Sequence, residues 1–289
     1  MRTRVLLTGA RGQLGQALTK VLSKSVDLLP TAHRADGSGM AVCDVSNWEQ
    51  VTEVVGSFAP HIIVNAAAYT DVDGNERDPE RARRINTQGV EHLLTAGKKV
   101  GGKIIQISTD YVFDGLAGPY LEGDEANPLS VYGRTKLEAE RLVLDGNGHL
   151  VVRANVLFGP DMDAPSSFVG WVVHSLKEEQ GISIVDDQVN NPTLTTHLAE
   201  AVGMAIEKEA TGLLHYGGLE FATRFEFARK IAQHFSLATQ WMSPITTAEL
   251  DQAAPRPLRS GLVCSKMKME LNVTNVTLED ALSQAFPLP

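Results

Sequence analysis

The stretch RVLLTGARGQLGQALTKVLSK, residues 4–24, joins a short apolar run to a helical pattern through three glycines. The apolar run predicts a buried strand, and the pattern that follows predicts an amphipathic helix. Gly9, Gly12 and Gly15 lie where the strand gives way to the helix. Glycine permits a sharp turn and brings backbone N–H groups close to a bound pyrophosphate, which the helix N-terminus also favours. We therefore predict a dinucleotide-binding loop that opens an α/β fold.

Apolar runs and helical patterns continue to alternate up to about residue 160. The runs VDLLPTAH, HIIVNAAA, KIIQIS and HLVVRANVLFG read as strands, and DPERARRINTQGVEHLLTAGKKVG reads as one long helix that starts at Asp78-Pro79. Continuous apolar strands separated by helices are typical of a parallel sheet covered on both faces. The predicted fold is therefore α/β, with a Rossmann-like, doubly wound parallel sheet over residues 1–160.

The rhythm becomes less regular after Gly159-Pro160. Shorter helical and strand-like patterns predict a smaller C-terminal α/β region over residues 161–289, built on the end of the sheet as a substrate-binding region. The segment at about 193–216 carries a helical pattern and the strand-like run GLLHYGG, so rejoining the first domain is a second option for it.

Composition narrows the class of protein. The chain has 289 residues and a formal net charge of −9, and its basic residues form no long stripe, so we expect no nucleic-acid partner. No run approaches the roughly 20 apolar residues of a membrane span. Cys43 and Cys264 are the only cysteines, and the eight histidines are scattered, so we expect neither a disulfide nor a metal site. The expected compartment is the cytoplasm.

The end of the second predicted strand indicates which dinucleotide binds. His33 and Arg34 stand where an acidic residue would bind the ribose 2′-hydroxyl of NAD, and Arg11 lies in the glycine loop. Arginine pairs with a 2′-phosphate, which favours NADP, whereas NAD stays open if Asp36 supplies the acid. Asp44 and Val45 are assigned to the adenine. The predicted cofactor-binding residues are Gly9, Arg11, Gly12, Gln13, Leu14, Gly15, His33, Arg34, Asp44, Val45, Ala66, Ala67, Ala68, Tyr132 and Lys136.

Tyr132 and Lys136 lie four residues apart in a helical pattern, so they share one face. A tyrosine with a pKa near ~10 is a reluctant proton donor, and a neighbouring ammonium would lower that value. Thr109 and Asp110 follow the buried run KIIQIS at the edge where doubly wound sheets bind ligands. These residues predict a catalytic site for a carbonyl substrate, and the alternative is an ordinary surface helix.

Six motifs together resemble the extended short-chain dehydrogenase/reductases, and more closely the dTDP-4-dehydrorhamnose reductase family. They are GARGQLG, VNAAAYTDVD, ISTDYVFDG, NPLSVYGRTKLEAE, DDQVNNPT and RPLRS, and the resemblance runs over nearly the whole chain. It implies that NADPH reduces the C4 ketone of a dTDP-4-keto-6-deoxy sugar. In that family's pattern Tyr132 donates the proton, Thr109 helps to hold the oxygen, and Lys136 tunes Tyr132 and binds the nicotinamide ribose.

The resemblance also assigns the substrate side. Asp110 and Tyr111 would line the sugar pocket with Thr109. Arg256 would contact the diphosphate or the nearby sugar, unless it is a surface arginine between two prolines. Gln188, Asn191 and Thr193 read equally well as contacts to the sugar or nicotinamide and as turn residues. The chain departs from the family in RANVLFG, residues 153–159, where a Thr-Ser-Trp stretch often follows the arginine.

Two other functions stay open at this point. A sugar-nucleotide epimerase would oxidise and re-reduce its substrate on the same scaffold. A non-catalytic regulator is the other alternative, since the beta subunit of methionine adenosyltransferase resembles these reductases and keeps a similar Tyr-x-x-x-Lys helix. The sequence leaves the oligomeric state open, with a homodimer as one option.

Overall fold

A central parallel sheet organises the protein in the computed structural model, which describes residues 2–35, 37, 39–164 and 167–287. Within those residues seven strands pair in the order β11-β6-β5-β4-β1-β2-β3. The strands are β1 (Arg4–Thr8), β2 (Asp27–Ala32), β3 (Ala41–Val42), β4 (Ile62–Asn65), β5 (Lys103–Thr109), β6 (Leu150–Ala154), β7 (Leu157–Phe158), β8 (Ile182–Val185), β9 (Val189–Asn190), β10 (Thr193–Leu194), β11 (Gly212–Tyr216), β12 (Ala222–Thr223) and β13 (Met242–Ile245).

Helices cover both faces of this sheet, which confirms the predicted Rossmann-like α/β class. The helices are α1 (Gln13–Leu22), α2 (Trp48–Phe58), α3 (Val72–Arg77), α4 (Pro79–Arg83), α5 (Gly89–Val100), α6 (Val131–Leu144), α7 (Phe168–Lys177), α8 (Thr195–Glu207), α9 (Arg224–His234), α10 (Ser265–Leu271) and α11 (Leu278–Ala285). Val5 and Leu7 of β1 pack in a core with α1 and α8, whereas Leu6 packs on the other face with α2 and α5.

The strand order places the ligand-binding edge. β1 pairs with β2 on one side and with β4 on the other, so the chain direction of the crossovers reverses at β1. A crevice forms where strands diverge in this way, at their carboxyl ends. The glycine loop after β1 therefore opens onto the same edge as the residues that follow β4 and β5.

The segment predicted as one long helix contains a π-helical turn. Asp78 caps its start by accepting a hydrogen bond from Arg81 N, and Pro79 occupies the first turn. A π-helical turn over Arg84–Gln88 then separates α4 from α5. Asn86 within this turn bonds both the backbone of Tyr69 and the side chain of Thr135. The predicted long helix is therefore confirmed over residues 79–100, and these tertiary hydrogen bonds accompany a wider turn within it.

The run HLVVRANVLFG forms two strands, whereas the sequence predicted one. β6 ends at Ala154, and β7 starts at Leu157 and pairs with β10 in a separate two-stranded sheet. Between them Val156 has a φ of 43°, a left-handed conformation that a β-branched residue rarely adopts. The chain turns sharply there and leaves the central sheet.

The C-terminal region has a core of its own. Helices α7, α9 and α11 pack around the parallel pair β8 and β13, with Phe158 and Phe227 at the centre. Residues 193–216 return to the first unit, because β11 pairs with β6 and α8 packs on α1. The domain boundary at residue 160 stays a prediction. Among the described residues, no helix is both long and apolar enough to cross a membrane.

Candidate active site

The glycine loop leaves little space for side chains at two of its three glycines. A Cβ at Gly9, where φ is +70°, would lie 2.6 Å from Ala67 N, and a Cβ at Gly15 would overlap the Gly9 carbonyl oxygen. A Cβ at Gly12 would meet nothing closer than 3.5 Å. Gly12 is also the N-cap of α1 and provides no side-chain cap for its N–H groups. Gly9 and Gly15 therefore close the turn, while Gly12 and the start of α1 fit a pyrophosphate.

A buried chain of uncharged side chains runs along the same edge. Thr8 Oγ1 donates to Asn65 Oδ1 at 2.5 Å, Asn65 Nδ2 donates to Gln106 Oε1 at 2.7 Å, and Gln106 Nε2 donates to the Ile107 carbonyl at 2.7 Å. These bonds link the ends of β1, β4 and β5. Sequence analysis missed Asn65 and Gln106, although a polar residue that ends or interrupts an apolar run was the available signal.

Helix α6 places the tyrosine and the lysine inside the protein, so the surface-helix alternative was wrong. Ser130 caps the helix by accepting a hydrogen bond from Gly133 N. Tyr132 and Lys136 are 9% and 3% exposed. Lys136 Nζ donates to the Ile107 carbonyl at 2.7 Å, the atom at which the uncharged chain ends. The lysine is thus tied to β5, immediately before Thr109.

Burial sets the acidity of both α6 groups. It raises the pKa of Tyr132, and a hydrogen bond with Thr109 opposes that shift without overcoming it. It lowers the pKa of Lys136 to about 8, against the charge of Glu140. The expectation that Lys136 would leave Tyr132 with a lowered pKa was therefore wrong. Tyr132 is instead a fully protonated acid at neutral pH.

Asp110 lies beside the tyrosine and is 2% exposed. It accepts hydrogen bonds from Thr109 Oγ1 at 3.2 Å and from Ser260 Oγ, which comes from the C-terminal region. Burial raises the pKa of Asp110 to about 6 in spite of these bonds. The ring of Tyr111 packs edge-on against Tyr132 with 5.6 Å between centroids. Thr109, Asp110, Tyr111 and Tyr132 thus form one wall at the carboxyl end of β5.

Arg256 lies near Tyr111 of this wall, and its side chain is only 8% exposed, so the surface-arginine alternative was wrong. Its Nη2 lies 3.0 Å from Asp73 Oδ2, and its Nη1 donates to the Ala254 carbonyl at 2.8 Å. Burial acts to raise the pKa of Asp73, but hydrogen bonds from Ala254 N and Arg256 lower it overall. Asp73 therefore stays ionised and holds the guanidinium in place.

Arg224 is a second guanidinium that sequence analysis missed. It starts α9 and is electrostatically coupled to Asp110, Tyr111 and Arg256. Its Cζ lies 5.5 Å from the centroid of the Phe168 ring. The sequence held no signal for it, because an arginine at the start of an amphipathic helix is an ordinary solvated residue.

The predicted adenine-side residues line the outer part of the same edge. Arg11, His33 and Arg34 are exposed, whereas Val45 is buried beside Gly89. Asp44 Oδ1 accepts hydrogen bonds from Ser46 N and Ser46 Oγ, which holds the turn before α2. Asp36, the acid on which the NAD alternative depends, lies outside the described residues. The remaining predicted contacts are placed as follows: Gln13 in the first turn of α1, Leu14 in the core, and Ala66, Ala67 and Ala68 directly after β4.

Three further candidates make structural hydrogen bonds. Gln188 Nε2 donates to Thr247 Oγ1 at 3.0 Å. Asn191 Nδ2 donates to the carbonyls of Gly218 and Leu262, and Thr193 Oγ1 donates to the Asn191 carbonyl. These bonds fasten the loops of the C-terminal region to one another, which favours the turn-residue interpretation for all three side chains.

Comparison with known proteins connects this geometry to a family. A family described as the RmlD substrate binding domain matches residues 3–287. The chain is 31% identical to a dTDP-4-dehydrorhamnose reductase of Aggregatibacter actinomycetemcomitans, covering 93% of this chain and 94% of the relative. It is 34% identical to the methionine adenosyltransferase 2 subunit beta of Danio rerio, covering 98% and 90%.

A solved structure agrees with these matches. The dTDP-4-dehydrorhamnose reductase of Bacillus anthracis, solved in complex with NADP, superposes with a TM-score of 0.91 at 32% identity, covering 99% of both chains. Both the sequence match and the superposition extend across the C-terminal region. The chain therefore belongs to the RmlD substrate binding domain family.

Proposed function

We propose that the protein is an NADPH-dependent reductase acting on the C4 ketone of a nucleotide-linked 4-keto-6-deoxy sugar, dTDP-4-dehydrorhamnose being the first candidate. The observation that carries this proposal is the convergence of a protonated, buried Tyr132 and Thr109 on the edge that holds the glycine loop. Family membership and the names of two relatives, both dTDP-4-dehydrorhamnose reductases, support the substrate class.

The residues divide the chemistry between them. NADPH held at the glycine loop between Gly9 and Gly15 would supply the hydride for the ketone carbon. Tyr132 gives its phenolic proton to the oxygen, so that the C=O bond becomes C–OH and the phenolate remains. Thr109 bonds the phenolic oxygen and stabilises the phenolate. Lys136, fixed by the Ile107 carbonyl, would supply a positive charge one helical turn after Tyr132.

Two guanidinium groups support an anionic substrate. Arg256 is buried and held by Asp73, and Arg224 lies close enough to feel its charge. Asp73 already pairs with Arg256, and Asp110 lies near Arg224, but each guanidinium has further N–H donors that can bind a diphosphate. A sugar-nucleotide diphosphate satisfies both of them, while Asp110 and Tyr111 lie on the sugar side.

The cofactor assignment rests on three basic side chains. Arg11, His33 and Arg34 surround the predicted position of the adenosine ribose, and no acidic residue precedes Asp36 in that stretch of the sequence. A 2′-phosphate would pair with these groups. The related Bacillus anthracis structure holds NADP, which supports the same choice.

A regulatory role is the second candidate function. The observation in its favour is the 34% identity to a methionine adenosyltransferase beta subunit over nearly the whole chain. Such a protein would keep the fold and the Tyr-x-x-x-Lys helix without turnover. The epimerase alternative differs in stoichiometry, because an epimerase returns its cofactor unchanged. The oligomeric state, for which a homodimer is one option, stays a prediction.

The test is NADPH oxidation against a panel of 4-keto nucleotide sugars, with the product's stereochemistry determined by NMR. We expect one NADPH consumed per ketone reduced. Tyr132→Phe should lower kcat by about 10²–10⁴-fold, because only the proton donor is removed. Its Kd for NADPH should stay within about twofold of the wild-type value.

Wild-type kcat in Tyr132→Phe would contradict the assigned role of this residue. No ketone-dependent oxidation by the wild type, combined with co-purification of a methionine adenosyltransferase, would favour the regulatory candidate. Oxidation that is substoichiometric, with epimerised product, would favour the epimerase.

A further inference from the structure

Glu140 is a buried carboxylate that the mechanism above does not use. It lies on α6 one turn after Lys136 and is 1% exposed. Arg153 of β6 grips it with three contacts: Nε to Oε1 at 2.9 Å, Nε to Oε2 at 3.1 Å and Nη2 to Oε2 at 2.7 Å. Ser108 Oγ donates to Oε1 at 2.5 Å. A buried ion pair of this kind is costly to desolvate, so its presence calls for a role besides stability.

The partners of Glu140 connect it to the reacting residues. Ser108 precedes Thr109, and it follows Ile107, whose carbonyl accepts the Lys136 ammonium. The carboxylate therefore fastens α6 to Ser108, which lies between Ile107, the residue that holds Lys136, and Thr109. Among the described residues, Glu140 is the one side chain of α6 whose hydrogen bonds reach two strands of the central sheet, β5 and β6.

Arg153 is itself fixed from the far side. Its Cζ lies 4.9 Å from the centroid of the Phe113 ring, and its Nη1 lies 3.3 Å from His215 Nε2. Burial, together with the charge of Arg153, lowers the pKa of His215 to about 3, so this histidine is neutral and adds no second cation. Contacts with Phe113 and His215 thus help to orient the guanidinium toward Glu140.

The charges around Lys136 come from several elements. Glu140 and Tyr132 share α6, Asp110 and Tyr111 follow β5, and Arg153 comes from β6. Glu76 and Arg83, from α3 and α4, pair with Arg134 and Glu138 on the outer face of α6. Of these groups, Glu140 is the one whose negative charge raises the pKa of Lys136, against the effect of burial.

We propose that Glu140 is a positioning residue, which keeps the Lys136 ammonium charged and holds the Tyr132–Lys136 face of α6 against the end of β5. This inference rests on the proposed reductase function. It extends that function to a residue that touches neither the substrate nor the cofactor and acts through its neighbours.

The first test measures Lys136 directly and needs no substrate. Protein labelled with ¹³C at lysine Cε is titrated by NMR, and the Lys136 signal is assigned with Lys136→Met. In Glu140→Gln we expect the Lys136 pKa to fall below its wild-type value, because the opposing negative charge is gone. A pKa unchanged from wild type would overturn the charge-keeping role.

The second test uses kinetics. Glu140→Gln should lower kcat at least about tenfold with KM for NADPH changed less than about threefold, and the loss of activity at high pH should begin at lower pH. Glu140→Asp, which keeps the charge, should restore part of kcat. Unchanged kcat and an unchanged pH profile in Glu140→Gln would contradict the proposal.

Two controls separate positioning from loss of folding. Val172→Ala, in the core of the C-terminal region, should lower Tm without moving the pH profile. If Glu140→Gln does not fold, Ser108→Ala removes one hydrogen bond and leaves the charge; we expect about a threefold to tenfold fall in kcat with the Lys136 pKa unchanged. Wild-type kcat in Ser108→Ala would overturn the positioning role. A wild type without ketone reduction would contradict the proposed function, while the NMR titration would still decide the inference.

Discussion

The two walls of the cleft hold their polar groups in different ways. Along the ends of β1, β4 and β5, on the glycine-loop wall, the buried groups are uncharged: Thr8, Asn65 and Gln106 bond one another and the backbone. On the opposite wall the C-terminal region supplies Arg224, Arg256 and Ser260 to the carboxylates of Asp73 and Asp110. We expect the first wall to bind its ligand through shape and backbone groups, and the second to bind through charge.

This difference shows how a shared scaffold is specialised. A backbone cradle fits any ligand that presents the same pyrophosphate, so it stays local and is built from neighbouring residues. A charged wall must match one substrate, and its pairs join segments that are distant in sequence. Changes to the glycine-loop wall should therefore affect cofactor binding and folding together. Changes to the charged wall should affect only substrate binding or the pH dependence of stability.

The largest effect is expected from a substitution that disrupts the glycine-loop wall. Gly15→Ala places a Cβ on the Gly9 carbonyl oxygen, so we expect the free energy of unfolding to fall by about 3 kcal/mol or more, with loss of NADPH binding. Gly12→Ala is the matched control, since its Cβ meets no protein atom within 3.4 Å. It should unfold like the wild type and still bind NADPH about tenfold more weakly. Equal stability of Gly15→Ala and Gly12→Ala in thermal unfolding would refute the close contact.

A smaller effect is expected at the charged wall, in the way that Asp110 makes stability depend on pH. Burial raises the pKa of Asp110 to about 6, above its unfolded value of ~3.9. The folded state therefore binds the proton more tightly, and this contribution to stability is present below pH ~4 and lost as pH rises through about 6. Asp110→Asn has no carboxyl group to ionise. Its free energy of unfolding should therefore exceed that of the wild type by up to about 2 kcal/mol at pH 8, but not at pH 4. Urea unfolding at both pH values measures the difference, and a gain independent of pH would contradict the assignment.

The next effect separates the two walls. Arg256→Ala should raise KM for the sugar nucleotide by about tenfold, because a buried guanidinium is lost. NADPH binding belongs to the other wall and should stay within about twofold. Arg259→Ala, a neighbouring arginine with an exposed position, is the control and should leave both values unchanged. A parallel loss of NADPH affinity in Arg256→Ala, seen by fluorescence titration, would show that the walls are not independent.

The smallest expected effect concerns the edge of the glycine-loop wall, where a charged side chain, Arg34, is expected to contact the cofactor. Arg34→Ala should weaken NADPH binding by about fivefold and leave NADH binding nearly unchanged, because an exposed guanidinium contributes about 1 kcal/mol to a phosphate contact. Equal losses for the two cofactors would show that Arg34 does not read the 2′-phosphate.

The same contrast explains what sequence could predict. The glycine loop and the apolar strands carry local periodicity, so the fold class and the position of the cofactor loop followed from residues 4–24 and their repeats. Arg224 and the Asp73–Arg256 pair were beyond local patterns, because Asp73 meets Ala254 across 181 positions and Asp110 meets Ser260 across 150. The acidity of Tyr132 was predicted in the wrong direction, because burial depends on the packing of the whole site and not on the spacing to Lys136.

The π-helical turn at Arg84–Gln88 has a consequence for insertions and deletions. Each residue of an α-helix advances the next by roughly 100° around the axis, so a wide turn with one additional residue changes the angular setting of all that follows. Asn86 and Thr87 meet Thr135 on α6, whereas Val90 and Leu93 further on meet the core beside α2. Removing a single residue here would let only one of these two sets of contacts face its partner, so this segment should tolerate substitution far better than any change in length.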